Sequence, residues 1–446
     1  MNIRAFIACV VCKAAHAVLR LFGRGATSFP GRAALKICPD VLAECSRGVI
    51  AYVITGTNGK TTSARMTETA LINAGYSVFS NRSGANLHDG ITCEYIMNTD
   101  FLMRPKKKIA VIECDEAACR VVLPKIHPSV LLVTNLFRDQ LDRYGSVSKP
   151  RDCIAEGLKG TPDTVLCVNA DCPMAASIAE YVKNRVQYFG FSGGDKRRIE
   201  SGEDETCPVC GAKLRYSYLT YANLGGYSCP HCGFARHSTS VSVESVLSDG
   251  SFVLSAFGER RILKAALPGA YNIYNAAGVI SLVTAAGIEQ TPAIDAVSDF
   301  ECGFGRAESF PLGKSGAKMI LIKNAAAADQ TLELIRTDKR PKCIAFIIND
   351  RPADGMDISW LNDADFVKLR RMHGPVNVYA AGDRAETLSE ILKKQGIACQ
   401  TVSSCDKLLK ILSDADEYIY LLPTYTAMLE LRQKLVRRLG GKNFWE

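Results

Sequence analysis

Histidine is scarce in this 446-residue sequence, with only six, and no cysteine stands in a Gly-x-Cys-x-Gly turn between a strand and a helix. Cys302 comes nearest and lacks the first glycine. A self-contained glutaminase of the triad type is thereby excluded, because its nucleophile needs that sharp elbow and a histidine partner. A concentrated basic stripe is also missing. The formal charge of +8 is mild for the length, which suits anionic substrates such as nucleotides, or an acidic membrane surface, better than nucleic acid. Lys106-Lys107-Lys108 reads as a solvated turn before a strand. The composition has nothing disordered or collagen-like about it. Disulfides are not indicated either. Most of the 18 cysteines, among them Cys9, Cys114, Cys167 and Cys343, are isolated among apolar residues, as small core side chains of a reducing, cytoplasmic compartment. The N-terminal apolar run Phe6-Ile7-Ala8-Cys9-Val10-Val11-Cys12 is too short for a membrane span, and Lys13, His16 and Arg20 interrupt it. The spacing of Ile7, Val10, Val11, Val18 and Leu21 predicts an amphipathic helix. Packing on the body and attachment to the inner membrane face are its two readings, and secretion is not implied.

What is present begins with Thr55-Gly56-Thr57-Asn58-Gly59-Lys60-Thr61-Thr62, between the apolar run Val49–Ile54 and a helix-like stretch. Strand, glycine-rich turn and helix N-terminus form the setting of a phosphate-binding loop. Its backbone N–H groups and helix dipole would hold phosphate oxygens, Lys60 would reach the β and γ phosphates of ATP, and Thr61 would ligate Mg2+. A general Walker A loop needs glycine where Ile54 stands; Gly56 takes over in a shorter variant.

A second constellation is Cys207-Pro-Val-Cys210 and Cys229-Pro-His-Cys232, two C-x2-C knuckles separated by 18 residues and followed by Gly211 and Gly233. The glycines permit turns that aim both sulfur pairs at one ion, and four thiolates suit tetrahedral, structural Zn2+. His231 is expected to be exposed rather than a fifth ligand, and Ser192 to Glu205 to be the linker into this ribbon.

Beyond the phosphate loop, Ile109–Ile112, Val130–Val133 and Val165–Val168 read as buried strands alternating with helices, which argues for a parallel sheet covered on both faces. Function gathers at the C-terminal strand ends of such sheets. There stand Glu113, Asp115 and Glu116, then Thr134-Asn135 with Asp139 and Asp142, then Asn169-Ala170-Asp171. Any one acid could cap a helix; together they favour a nucleotide–Mg2+ site. From about residue 300 the pattern restarts, with strands expected over 317–322, 343–348, 376–380 and 418–422 and helices from Asp329, Asp365, Ala385, Asp406 and Thr426. Gly303 and Gly305 could serve as a hinge, with Arg306 reaching nucleotide phosphate. The expected domains are an amphipathic helical segment, 1–45; a central ATP-binding α/β domain, 46–300, with the zinc ribbon inserted at 205–235; and a C-terminal Rossmann-like α/β domain, 301–446.

Thr55–Thr62, Asn169-Ala170-Asp171-Cys172-Pro173, Gly269-Ala270-Tyr271-Asn272-Ile273-Tyr274-Asn275-Ala276-Ala277 and Phe304-Gly305-Arg306-Ala307-Glu308 together resemble the Mur ligases. These are ATP-dependent ligases that build the peptidoglycan stem peptide, with folylpolyglutamate synthetase as a relative. The ribbon and the block Asn349-Asp350-Arg351-Pro352-Ala353-Asp354-Gly355-Met356-Asp357-Ile358-Ser359-Trp360 narrow the resemblance to the branch that supplies the ligase subunit of lipid II isoglutaminyl synthases. It covers nearly the whole chain, including Leu422–Met428.

The resemblance implies a two-step reaction. ATP phosphorylates the α-carboxylate of D-glutamate in the lipid II stem, and ammonia displaces phosphate from the acyl phosphate to leave D-isoglutamine. Lys60 and Thr61, with Thr57, Asn58, Gly59 and Thr62 around them, match the phosphate and Mg2+ loop, and Glu113 the second Mg2+-associated acid. Asn272 and Asn275 match positions near the nucleotide, and Arg306 the residue on its phosphates. Ammonia would come from a GatD-type glutamine amidotransferase in a heterodimer, whose triad an aspartate of this chain completes. Asp350, Asp354 and Asp357 are the candidates, Asp357 preferred and Asp354 next; Asp357 capping the helix near Ser359 is the alternative. The chain departs from the family pattern at Lys323-Asn324-Ala325-Ala326-Ala327, which lacks a usual Pro and Gly, and at Cys172, where relatives often carry Asp. A carbamylated lysine has no assignable position. Two other readings compete: a Mur- or folylpolyglutamate-type ligase adding an amino acid, and a zinc-ribbon NTPase using Lys213, Arg215, Arg236 and tyrosines on nucleic acid.

Overall fold

The structure is a computed structural model that describes residues 2–21, 28–81, 85–137, 148–194, 206–247, 250–264, 270–298, 306–355 and 357–439. They form two compact units, one up to Ser298 and one from Arg306 on.

In the first unit, three helices, α1 (Ile3–Leu21), α2 (Ser28–Ile37) and α3 (Val41–Ser46), precede the sheet. The strands β1 (Ile50–Thr55), β2 (Val78–Ser80), β3 (Ile109–Glu113), β4 (Val130–Val133), β5 (Val165–Asn169) and β6 (Val186–Phe191) pair in parallel in the order β6-β5-β4-β1-β3-β2. β3, β4 and β5 begin where the apolar runs predict. Their interiors are buried on both faces, as the unbroken hydrophobic runs require of strands covered by helices on either side. Those helices include α4 (Lys60–Asn73), α5 (His88–Met97), α6 (Cys119–Ile126), α7 (Lys149–Lys159) and α8 (Ala270–Ala285). α8 is apolar nearly all round and packs across β4, β5 and β6.

One feature departs from the parallel pattern. β9 (Val241–Val246) joins β6 in parallel, but β10 (Phe252–Ala256) and β11 (Glu259–Leu263) continue the sheet antiparallel. The β10–β11 link is only Phe257 and Gly258, both at positive φ, the two-residue turn that matches strand twist. Such a link has no room for the crossover a parallel neighbour needs. Between β6 and β9 the chain makes the ribbon hairpin β7 (Arg215–Tyr221) and β8 (Leu224–Ser228). Tyr227, Phe234 and Leu214 cluster under its cysteines, and Arg151 of α7 donates to the Pro208 carbonyl at 2.7 Å.

The second unit holds β12 (Arg306–Phe310), β13 (Ala317–Ile320), β14 (Lys342–Ile347), β15 (Val376–Ala381), β16 (Gln400–Thr401) and β17 (Tyr418–Pro423), in the order β12-β13-β17-β14-β15-β16. Only β12 runs antiparallel to its neighbour. Two apolar clusters, centred on Phe346 and Leu421, cover its faces. The helix expected from Asp329 begins earlier, at Ala325, because the Asn324 side chain accepts the Ala327 amide at 2.9 Å and caps it. The segment after Asp365 is a 3-10 helix, Phe366–Arg371.

Candidate active site

β1 delivers the chain into Gly56–Gly59, and α4 starts at Lys60. Gly56 has φ +127 and Gly59 φ +85. A Cβ on Gly56 would lie 2.3 Å from Thr134 Oγ1, and one on Gly59 would lie 2.1 Å from Asn275 Oδ1. Both positions therefore demand glycine on conformation and on space. The end of β4 clamps the loop. Thr57 donates its amide to the Asn135 carbonyl at 2.8 Å, Asn58 its amide to Asn135 Oδ1 at 3.0 Å, and Thr134 Oγ1 donates to the Asn58 carbonyl at 2.7 Å. Asn135 was legible only as a polar residue at a strand end; its role as the loop's scaffold comes from β4 lying beside β1.

The acids arrive from β3 on the other side of β1. Thr61 Oγ1 donates to Glu113 Oε2 at 2.6 Å, and Asn86 Nδ2 donates to Glu113 Oε1 at 3.2 Å. Asn81 grips the Glu113 backbone, accepting its amide at 2.9 Å and donating to its carbonyl at 2.7 Å. A hydroxyl and a carboxylate in direct contact are two hard oxygen donors suited to Mg2+. Lys60 Nζ reaches the Gly56 carbonyl and pairs with Glu116 Oε1 at 3.4 Å. Asp115 accepts the Ala117 amide at 3.1 Å, as a cap on the turn into α6. Asp139 and Asp142 lie outside the described residues, as do Gly303, Gly305 and residues 195–205 of the expected linker. The Arg306 side chain does too; only its backbone is placed, in β12.

α8 brings Asn275 against Gly59, with Asn272 one turn earlier and both buried. The same helix is tied to the ribbon through Asp171, at the end of β5. Its Oδ1 accepts Arg236 Nε at 2.6 Å, and its Oδ2 accepts the Tyr274 hydroxyl at 2.6 Å and the Phe191 amide at 2.7 Å. Burial pushes the Asp171 carboxyl up, against the pull of Arg236. Arg236 is thus held inside the unit. Among the ribbon tyrosines, Tyr218 donates to the Phe191 carbonyl at 3.1 Å and Tyr216 to the Asn223 carbonyl at 3.1 Å. Arg236 and these tyrosines are engaged within the unit, while Lys213 and Arg215 are exposed. Nothing in the sequence joined Arg236 and Tyr274 to Asp171. Cys172 meets the backbone of Leu136, whose amide donates to its sulfur at 3.3 Å.

The four ribbon sulfurs lie within 4.8 Å of one another. Cys207 Sγ is 3.7 Å from Cys232 Sγ, and Cys210 Sγ is 3.5 Å from Cys229 Sγ. Tetrahedral Zn2+ with Zn–S near ~2.3 Å places sulfurs at about this separation. The Cys232 amide lowers the Cys229 thiol, whereas burial raises that of Cys207 in the same cluster. His231 is exposed.

In the second unit the three candidate aspartates have different partners. Asp350 Oδ2 accepts Arg384 Nε at 2.7 Å. Asp354 accepts the Thr426 amide at 2.6 Å and its hydroxyl at 2.5 Å. Asp357 is half-buried and accepts the Ser359 amide at 2.8 Å. Ser359, through its side chain and then its amide, holds that carboxyl below the usual range.

A parallel sheet with this loop at its centre, a ribbon between β6 and β9 and a second α/β unit define an ATP-dependent ligase of the Mur type. The family model "Mur ligase middle domain" matches residues 54–214, and "MurT ligase C-terminal" matches residues 321–428. Over 449 residues, 98% of each chain, the sequence is 32% identical to the lipid II isoglutaminyl synthase (glutamine-hydrolyzing) subunit MurT of Streptococcus pneumoniae. It is 30% identical to the Staphylococcus aureus subunit of the same name over 98% of this chain and 99% of that one. In fold it is similar to a pseudomurein peptide ligase type C from Methanothermus fervidus, with TM-score 0.67 and 21% identity over 87% of this chain and 79% of that one. The chain belongs to the MurT family of Mur ligases. Among its described residues no helix is long and apolar enough to cross a membrane.

Proposed function

We propose that this chain is the ligase subunit of a lipid II isoglutaminyl synthase, amidating the D-glutamate α-carboxylate of the stem peptide at the expense of ATP. The observation that carries it is end-to-end similarity to two such subunits together with the Thr61–Glu113 pair beside the phosphate loop. Lys60 and the loop amides hold the triphosphate and offset the charge that develops on the transferred phosphoryl group. Thr61 and Glu113 would hold Mg2+, which supplies further positive charge at the phosphate oxygens. The carboxylate becomes an acyl phosphate, and ammonia attacks its carbonyl carbon, expelling inorganic phosphate. Asn272 and Asn275 stand beside the nucleotide, with Arg306 assigned to its phosphates by motif alone. The four ribbon cysteines hold structural Zn2+, supported by their spacing.

Ammonia comes from a GatD-type amidotransferase partner, and Asp357 completes its Cys–His pair. In support, Asp350 is held by Arg384 and both Asp354 oxygens by Thr426 and Arg351, whereas the one partner of Asp357 among the described residues is its neighbour Ser359, the contact that capping the helix there also requires. The enzyme works at the cytoplasmic face of the membrane, where the substrate's stem is presented.

The test incubates the chain with ATP, Mg2+ and lipid II, plus either free ammonia or glutamine with the amidotransferase, and reads the stem by mass. Amidation is expected in both arms; amino-acid addition, or no change in either arm, overturns the reading. Lys60→Ala should lower the rate by about 100-fold or more in both arms. Asp357→Asn should abolish the glutamine-dependent arm and spare the ammonia-dependent one.

A further inference from the structure

The helix α1 is packed the wrong way round for an ordinary surface helix. The residues it buries against α2, α3 and α5 are small: Ala5, Ala8, Cys9 and Cys12. Phe6 and Leu19 are half-buried, but most of its large apolar residues face out, with Ile3 72%, Ile7 47%, Val10 47%, Val18 51% and Leu21 86% exposed and Val11 beside them. At about 100° per residue these form one continuous stripe, and the buried set lies diametrically opposite. Arg4 borders the stripe on one side, and Lys13 and Arg20 lie further round on the other, about 60–80° beyond Val10; α1 contains no acidic residue. Next to it the loop after α5 presents Phe101, 85% exposed, and Leu102, 59% exposed. Lys13 docks that loop to α1, donating to the Thr99 carbonyl at 2.7 Å with its ammonium 5.7 Å from the Phe101 ring. Arg104 and Lys106 of the same loop are exposed. Its acid, Asp100, accepts the Leu102 and Arg104 amides at 2.8 Å each.

We propose that the outer face of α1 with the Phe101–Leu102 loop is a membrane-docking surface that lies in the headgroup region of an anionic bilayer. An apolar stripe with cations beside it is what an in-plane helix needs: the stripe enters the acyl boundary, and the exposed Arg4, Arg20 and Arg104 meet lipid phosphates while their stems stay apolar. Phe101 and Leu102 add an aromatic and aliphatic tip at the same level. The charge pattern decides against a second copy as occupant, because a two-fold contact through α1 would set Arg4, Lys13 and Arg20 against like charges with no acid to answer them. The surface is read from α1 and its neighbouring loop alone. Its purpose, holding the site near a lipid-linked stem, rests on the function proposed above.

The test floats the full chain with vesicles of phosphatidylcholine alone or enriched in phosphatidylglycerol, at low and high salt. Flotation with the anionic vesicles is expected, falling as salt screens the cations. Ile7→Ser/Val18→Ser should weaken it about tenfold or more without lowering the melting temperature, since both side chains are exposed. Arg4→Gln/Arg20→Gln should remove the preference for anionic lipid. Amidation of a water-soluble stem peptide should be unchanged in both variants, so failure of the docking surface is distinguishable from failure of the proposed reaction. No flotation on anionic vesicles, or equal flotation of the serine variant, overturns the proposal. So does a serine variant that dissociates a dimer or loses the amidotransferase, because the stripe would then be a protein interface.

Discussion

Asp171→Asn isolates the bond network that joins the ribbon to the nucleotide-binding helix. The substitution keeps the shape of the side chain and removes its charge. Asp171 is fully buried and Arg236 nearly so, at 16% exposure, so the guanidinium would be left in the interior without its counter-ion. Breaking a buried pair from one side costs about 3–5 kcal/mol. The Tyr274 hydroxyl and Phe191 amide, each 2.6–2.7 Å from Oδ2, would keep their bonds only if the amide oxygen takes that place, which turns its NH2 toward Arg236. Removing both charges should cost far less, because burial already pushes the Asp171 carboxyl up and the pair stands near break-even against desolvation. Asp171→Asn combined with Arg236→Met should recover about 2 kcal/mol or more of the single variant's loss. In thermal unfolding followed by circular dichroism with zinc present, the single variant should fall by roughly 5–10 °C for a unit of this size. Because Tyr274 lies one residue before Asn275 on α8, the same variant should raise the ATP KM more than it lowers kcat. Equal losses in the single and double variants, or a single loss under about 0.5 kcal/mol, would refute the reasoning.

Gly59→Ala should cost about 1–2 kcal/mol in backbone strain, and its Cβ would displace Asn275; ATP affinity by calorimetry should drop about tenfold or more while the fold survives. Glu113→Gln weakens one of two oxygen donors, so Mg2+ titration of the rate should show a half-saturation point raised about tenfold. Metal analysis should find about one zinc per chain, and chelation or Cys210→Ser should lower the melting transition of the first unit and leave that of the second in place. In the second unit, Arg340, with the Tyr420 hydroxyl, outweighs burial and lowers the Asp338 carboxyl from 3.8 to about 2. A lowered carboxyl stabilises the fold above its unfolded value and stops doing so as pH falls. Asp338→Asn should therefore cost about 1–2 kcal/mol at neutral pH, the half-exposed Arg340 discounting the full shift, and the difference between the two proteins should vanish between about pH 4 and pH 2 in acid unfolding.

Local chemistry was enough for the parts that a few consecutive residues define. The glycines around Thr57-Asn58, the two cysteine knuckles and the doubly buried strands carry their geometry in their own backbone preferences and apolar runs, so the α/β fold and the ribbon could be read directly. The antiparallel arm β9–β10–β11 could not, because its one local signal, Phe257-Gly258, is a turn that says nothing about which sheet the hairpin extends. Sheet order decided the rest. Placing β4 and β3 on either side of β1 sets Asn135 on the loop backbone and Glu113 on the Thr61 hydroxyl, from residues 77 and 52 positions away. The 65-residue separation of Asp171 and Arg236 leaves no periodic trace, because two charges pair on distance and burial, not on spacing. α1 shows the limit most plainly. Periodicity established that it has an apolar face, but the side that packs fully against α2, α3 and α5 is the one built of Ala and Cys, which leaves the larger apolar stripe facing outward.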